Sequence, residues 1–167
     1  MRRTFVSVGS NIQPERHVAL AVRTMRERFG PLELSPLYRT APAGDPDQPY
    51  FWNLAVCFSC DREPESVQGE LHAIEDALGR MRDAARPLGP RTVDLDLVLM
   101  EGRTGAFGGF RLPSPHLETD SFVAVPVADL APDLVHPVLG LTMSEIARRT
   151  IARGGEPPSR LIPQVDV

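Results

Sequence analysis

The sequence predicts an α+β fold in which helices back an antiparallel sheet, in the order β-α-β-β-α-β. Three observations predict it. Two segments, 14–29 and 64–81, place apolar residues at steps of three and four, the period of a helix buried along one face. Four shorter runs rich in aliphatic and β-branched residues lie around them, at 4–9, 32–40, 53–60 and 89–99. Proline or glycine punctuates most of the boundaries between these segments.

Taken in order, TFVSVG (4–9) is a short strand that ends in glycine. Pro14 and Glu15 open the first helix, where proline fits the first turn and an acid suits the positive dipole end. Val18, Val22, Met25 and Phe29 form its apolar face, and Gly30-Pro31 stops it. LELSPLYRT (32–40) is a second strand, in which Pro36 predicts an edge or a bulge because proline donates no ladder hydrogen bond. The loop 41–50 is proline-rich and stiff, and NLAVCFSC (53–60) is a third strand. Pro64 opens a second helix whose apolar face is Val67, Leu71, Ile74, Leu78 and Met81. GPRTVDLDLVL (89–99) is the fourth strand; alternation sends Val93, Leu95, Leu97 and Leu99 to one face and Thr92, Asp94, Asp96 and Val98 to the other. This is the split, ferredoxin-like arrangement over the first hundred residues. A glycine-rich hairpin at 101–110, a helix near 119–130 and a last helix capped by Thr142 and Glu145 complete one expected domain, 1–167. The tail 156–167 is expected to be loosely held.

Composition narrows the function classes. A net charge of −4 argues against general nucleic-acid or anionic-membrane binding. No apolar run approaches membrane-spanning length, and Met1-Arg2-Arg3 leads straight into a strand, so a cytoplasmic protein is expected. All 18 basic residues are arginine, which excludes a lysine phosphate loop and Schiff-base chemistry. Cys57 and Cys60 form a C-x-x-C, but on a strand they face opposite ways, so they read as small packing residues and not as a zinc or redox motif.

Asp94 and Asp96 stand out. Two carboxylates on one face of an apolar strand repel each other unless something positive lies between them. Just upstream, 79–91 holds Arg80, Arg82, Arg86 and Arg91 against Asp83 alone. Carboxylates for a divalent cation beside guanidiniums for phosphate oxygens suit a nucleoside triphosphate, because magnesium is held by one or two carboxylates plus substrate phosphates. His116, in PSPH, could add a donor, although a lone histidine is more often structural.

The segments SVGSN (7–11), LYRTAPAGDPDQPYFWN (37–53), IEDALGRMR (74–82), GPRTVDLDLVL (89–99) and PSPH (113–116) together resemble 6-hydroxymethyl-7,8-dihydropterin pyrophosphokinase, an enzyme of folate biosynthesis. The resemblance is collinear from about residue 4 to 135. It implies transfer of pyrophosphate from ATP to the pterin hydroxymethyl oxygen, with release of AMP. By the same resemblance Asp94 and Asp96 hold two Mg²⁺ ions, and Arg80, Arg82, Arg91 and His116 bind the triphosphate. Arg82 and Arg91 join the two aspartates as the catalytic set. Glu75 falls at a nucleotide contact, and Leu97 and Arg111 at the adenine and ribose site. Asn53 reads the pterin edge, with Asp94 nearby, and Phe51 and Phe122 sandwich the ring. Thr40, Pro42 and Ala43 reach the pterin from the loop. A monomer acting on small molecules is expected. The chain departs from the family pattern at Leu88, where many members carry tryptophan, and at Asp120, where an arginine is usual. Two alternatives remain at this point: a member that binds pterin and nucleotide without efficient turnover, and another metal-dependent nucleotidyltransferase.

Overall fold

A computed structural model of the chain describes residues 1–42, 46–80, 90–153 and 158–161. The expected β-α-β-β-α-β order is present, with the second strand in two pieces. The elements are β1 (Arg2–Ser10), α1 (Pro14–Phe29), β2 (Glu33–Leu34), β3 (Leu37–Thr40), β4 (Phe51–Cys60), α2 (Pro64–Ala77) and β5 (Asp94–Met100). A hairpin of β6 (Gly105–Phe107) and β7 (Phe110–Leu112), the helices α3 (His116–Thr119), α4 (Ser121–Leu130) and α5 (Met143–Ala152), and β8 (Ser159–Leu161) follow. The main sheet runs β5-β1-β4-β3-β8, with β2 also paired to β4, and every pairing is antiparallel. None of the described helices is long and apolar enough to cross a membrane.

The break at Pro36 is the irregularity the sequence predicts. Ser35 bridges it: its backbone N–H donates to the Ala55 carbonyl and its Oγ accepts from the Ala55 N–H, both at 2.9 Å. The ladder therefore loses little where proline cannot donate.

Helices cover both faces of the sheet, which is why β1 and β4 are buried on both sides and read as near-continuous apolar runs. On one face Val18, Val22 and Met25 of α1 and Val67, Leu71 and Ile74 of α2 pack on Val6, Val8, Leu54, Val56, Leu95 and Leu97. On the other, Val123 and Val127 of α4 and Met143 and Ile146 of α5 pack on Phe5, Ala55, Cys57 and Leu99. Cys57 and Cys60 belong to opposite faces, and neither is in a disulfide. The Thr142 capping box forms as expected, with Thr142 Oγ1 accepting from the Glu145 N–H and the Glu145 carboxylate accepting from the Thr142 N–H.

One expectation needs correction. Leu99 does not share a face with Leu95 and Leu97. The register with β1 slips between Phe5, opposite Leu99, and Val6, opposite Leu97, so Val98 is an extra residue. This bulge turns both Val98 and Leu99 toward α4 and returns Met100 to the α1–α2 side. Of the tail 156–167 only 158–161 are described, and there β8 pairs Ser159, Arg160 and Leu161 with Arg39, Tyr38 and Leu37. The outer edge of β3 offers backbone groups that a passing segment can satisfy.

Candidate active site

The α4–α5 layer covers only part of its face of the sheet. Beyond it, the alternation that buries Phe5, Ala55 and Cys57 presents Ser7 and Gly9 of β1, Asn53 of β4, and Asp94 and Asp96 of β5 to a cavity of about 330 Å³. Register places Gly9 between Asn53 and Asp94, and Ser7 between Ala55 and Asp96. Residues 41 positions or more apart along the chain thus form two rows across three adjacent strands. Phe51, at the start of β4, and Phe122, on α4, line the same cavity, as do Thr40, Ala41, Arg80, Arg91 and His116.

Asp94 is clamped by two guanidiniums. Arg80 Nη1 pairs with its Oδ1, and Arg91 Nη1 lies 2.5 Å from its Oδ2. Arg80 also pairs with Glu75, which is 1% exposed. The Glu75 Oε1 accepts from the Leu95 N–H at 2.7 Å, so one buried carboxylate fixes both the arginine and the edge of β5. Glu75, expected as a nucleotide contact, lines neither cavity of the site; its carboxylate is turned into the protein behind Arg80. Arg91 also lies 5.9 Å from the centre of the Phe51 ring, linking the guanidinium pair to the aromatic wall.

Asp96 is open to solvent at the pocket mouth but hemmed in by protein elsewhere. Its pKa is pushed up to about 7, first by the burial of its surroundings and then by repulsion from Asp94 and Glu75, against the pull of His116 and Arg80. Among the described residues no group of three or more His, Cys, Asp or Glu side chains forms a metal cage. Asp94 and Asp96 nevertheless line one cavity, and such a pair fits a hard divalent cation that takes its remaining ligands from water and substrate phosphate.

His116 is exposed at the start of α3, its Nδ1 2.7 Å from Asp120 Oδ2. The hydrogen bond to Asp120 raises its pKa most; the charges of Asp120, Asp96 and Asp94 act the same way, and partial burial opposes them. His116 and Asp96 also border a second cavity of about 670 Å³, which continues over the outer edge of β5. Leu97 and Arg111 line it, together with Gln68, His72 and Phe110.

Asn53 is buried and donates from Nδ2 to Thr40 Oγ1 at 2.6 Å. Asn11, also buried, joins the two sides of the site. Its Nδ2 donates to Gln48 Oε1 at 3.1 Å and to the Pro49 carbonyl at 3.2 Å, and its Oδ1 accepts from the Arg91 N–H at 2.9 Å.

Of the residues the sequence singles out, the structure brings Thr40, Phe51, Asn53, Arg80, Arg91, Asp94, Asp96, His116 and Phe122 around the first cavity. Leu97 and Arg111 stand at the second. Pro42 borders neither cavity, and its neighbour Ala41 lines the first. Ala43, Arg82, Arg86 and Leu88 lie outside the described residues. Sequence reasoning missed Ser7, Gly9, Asp120, Gln68 and His72 as lining residues. Only Asp120 carried a usable signal, its i, i+4 spacing from His116.

Residues 5–132 match the family model described as 7,8-dihydro-6-hydroxymethylpterin-pyrophosphokinase (HPPK). The chain belongs to the HPPK family. A 2-amino-4-hydroxy-6-hydroxymethyldihydropteridine pyrophosphokinase of Pseudomonas aeruginosa is 36% identical over 140 residues, which are 82% of this chain and 85% of that protein. A relative of the same name from Methylorubrum extorquens is 37% identical over 138 residues, 81% of this chain and 86% of its own. Among solved structures, wild-type Plasmodium falciparum HPPK-DHPS superposes with a TM-score of 0.69 at 13% identity. That match covers 92% of this chain and 44% of the longer one, and at this identity it speaks for the fold. The HPPK match takes in every cavity-lining residue named above and ends before α5 and β8, which stand clear of the cavities.

Proposed function

We propose that this chain transfers the pyrophosphoryl group of ATP to the hydroxymethyl oxygen of 6-hydroxymethyl-7,8-dihydropterin, releasing AMP, in folate biosynthesis. The observation that carries the reading is the junction of the two cavities. Asp96 and His116 border both, between a slot lined by two phenylalanines and a larger hollow over the β5 edge. With the acceptor ring in the slot and the nucleoside in the hollow, the triphosphate spans the carboxylate pair. HPPK family membership supports the same reading.

In this reading Phe51 and Phe122 hold the ring, and Asn53 reads its edge beside Thr40 and Ala41, which line the same cavity. Arg80, Arg91 and His116 bind the phosphates, joined by Arg82; Leu97 and Arg111 bind the nucleoside. Arg80 and Arg91 each contact Asp94 through one Nη1, and a guanidinium carries five N–H donors in all. Glu75 acts from behind by holding Arg80 and Leu95. The acceptor hydroxyl attacks the β-phosphorus, the bond to the oxygen bridging toward the α-phosphate breaks, AMP leaves with that oxygen, and the hydroxyl proton passes to solvent. Phosphoryl transfer depends on positioning and charge compensation, which these side chains supply. Asp94 and Asp96 would hold Mg²⁺, two ions in this reading, which when bound neutralise phosphate charge and acidify the attacking hydroxyl.

Product analysis tests the proposal. Incubation with ATP, Mg²⁺ and 6-hydroxymethyl-7,8-dihydropterin should yield one AMP per pterin consumed. ADP or free pyrophosphate as the nucleotide-derived product, or the absence of turnover, would overturn it.

A further inference from the structure

Gly9 sits inside β1, a position where glycine weakens a strand relative to alanine. Its backbone does not require glycine, because its φ is outside the left-handed region that other glycines of this chain occupy. Space is the constraint. A methyl group at Gly9 would lie 2.8 Å from Asn53 Oδ1 and 3.9 Å from Phe51 Cδ1. No other described glycine has a neighbour within 3.0 Å of that position, and at most of them it would meet nothing within 4 Å.

Asn53 has little freedom to yield. It is 4% exposed, and its Nδ2 is held by Thr40 Oγ1 at 2.6 Å. Moving Oδ1 away from a methyl group turns the whole amide and breaks that bond. Gly9 is also opposite Asp94 across the other ladder, so the bare backbone at this position is the floor between the amide and the carboxylate.

We propose that Gly9 is a positioning residue for the acceptor ring: its missing side chain keeps the Asn53 amide aimed into the cavity. The inference rests on the function proposed above and adds to it a residue that acts on the acceptor ring through Asn53. It touches the pterin side alone, since the second cavity does not include Gly9.

The test is a double-mutant cycle on the full chain: wild type, Gly9→Ala, Asn53→Ala and the double variant. Affinities for 6-hydroxymethyl-7,8-dihydropterin and for a non-hydrolysable Mg-ATP analogue are measured by calorimetry. Gly9→Ala should weaken pterin binding by about tenfold or more, the scale of one lost buried polar contact, and leave the ATP analogue within about twofold. In the Asn53→Ala background Gly9→Ala should add almost nothing, because the clash partner is gone. Pterin binding by Gly9→Ala equal to wild type would overturn the inference, as would the same loss in both backgrounds. If Gly9→Ala alone does not fold, the comparison of Asn53→Ala with the double variant decides: equal pterin affinity supports the inference and a further loss overturns it. A wild-type chain that binds no pterin overturns the proposed function and this inference together, whereas normal wild-type binding with an unaffected Gly9→Ala overturns this inference alone.

Discussion

Replacement of Asn11 by alanine should damage stability and both ligand sites at once. Asn11 is 3% exposed, and its side chain makes three hydrogen bonds, two to Gln48 and Pro49 on the acceptor side and one from the Arg91 N–H on the phosphate side. A buried hydrogen bond contributes ~0.5–1.5 kcal/mol net, so the loss of three should cost about 2–4 kcal/mol. For a chain of this size that lowers the melting midpoint by roughly 5–15 °C. Urea denaturation with a fixed m-value reads the change directly. Asn11→Asp divides the effect: a carboxylate still accepts from the Arg91 N–H but faces the Gln48 and Pro49 oxygens without a donor. Its affinity for pterin should therefore fall more than its affinity for the ATP analogue, whereas Asn11→Ala lowers both. An Asn11→Ala protein within about 0.5 kcal/mol of wild type, well short of the 2–4 expected from these bonds, would refute the reasoning. So would an Asn11→Asp protein with the ligand order reversed.

Asp94→Ala and Asp96→Ala should both fold, and turnover should fall by about 10²-fold or more, the scale of losing one preorganised electrostatic group; near-normal turnover in Asp96→Ala would remove the metal assignment. Asp120→Asn should lower the His116 pKa toward its ordinary value, because the Asp120 hydrogen bond is the largest cause of its rise, and an NMR titration of the imidazole reads this. Tyr38 donates to Asp129 Oδ2 at 2.6 Å, and burial followed by that bond pushes its pKa up to about 12 from 10.0. A raised folded-state pKa means that this stabilisation is complete below pH 10.0 and is lost as pH rises through about 12. Denaturation midpoints across that window should fall less steeply for Tyr38→Phe than for wild type, and parallel curves would contradict the assignment.

Periodicity made the helices legible. Val18, Val22 and Met25 mark the buried face of α1 because local spacing alone decides which side chains share a helix face. The capping box at Thr142 and Glu145 and the opposed faces of Cys57 and Cys60 are legible for the same reason, since each depends on residues within one element. The Asp94–Asp96 pair could be read as one-sided from strand alternation, and the motifs around it pointed to phosphate and pterin chemistry.

What remained hidden depends on partners far along the chain. The face of Leu99 was set by a bulge against Phe5 and Val6, and alternation within 89–99 contains no sign of it. The inward turn of Glu75 comes from the Leu95 N–H twenty residues away, which no spacing rule anticipates. β8 needed the vacant edge of β3 before Arg160 could pair with Tyr38. Gly9 looks like an ordinary strand end in TFVSVG; only the antiparallel ladders that set it between Asn53 and Asp94 give its missing side chain a consequence. The sequence by itself determined which residues could carry charge, stack or cap, because those properties belong to single side chains and short periods. Tertiary structure decided which of them meet and which way their pKa values move, because register, burial and the repulsion between carboxylates exist only once distant strands are side by side.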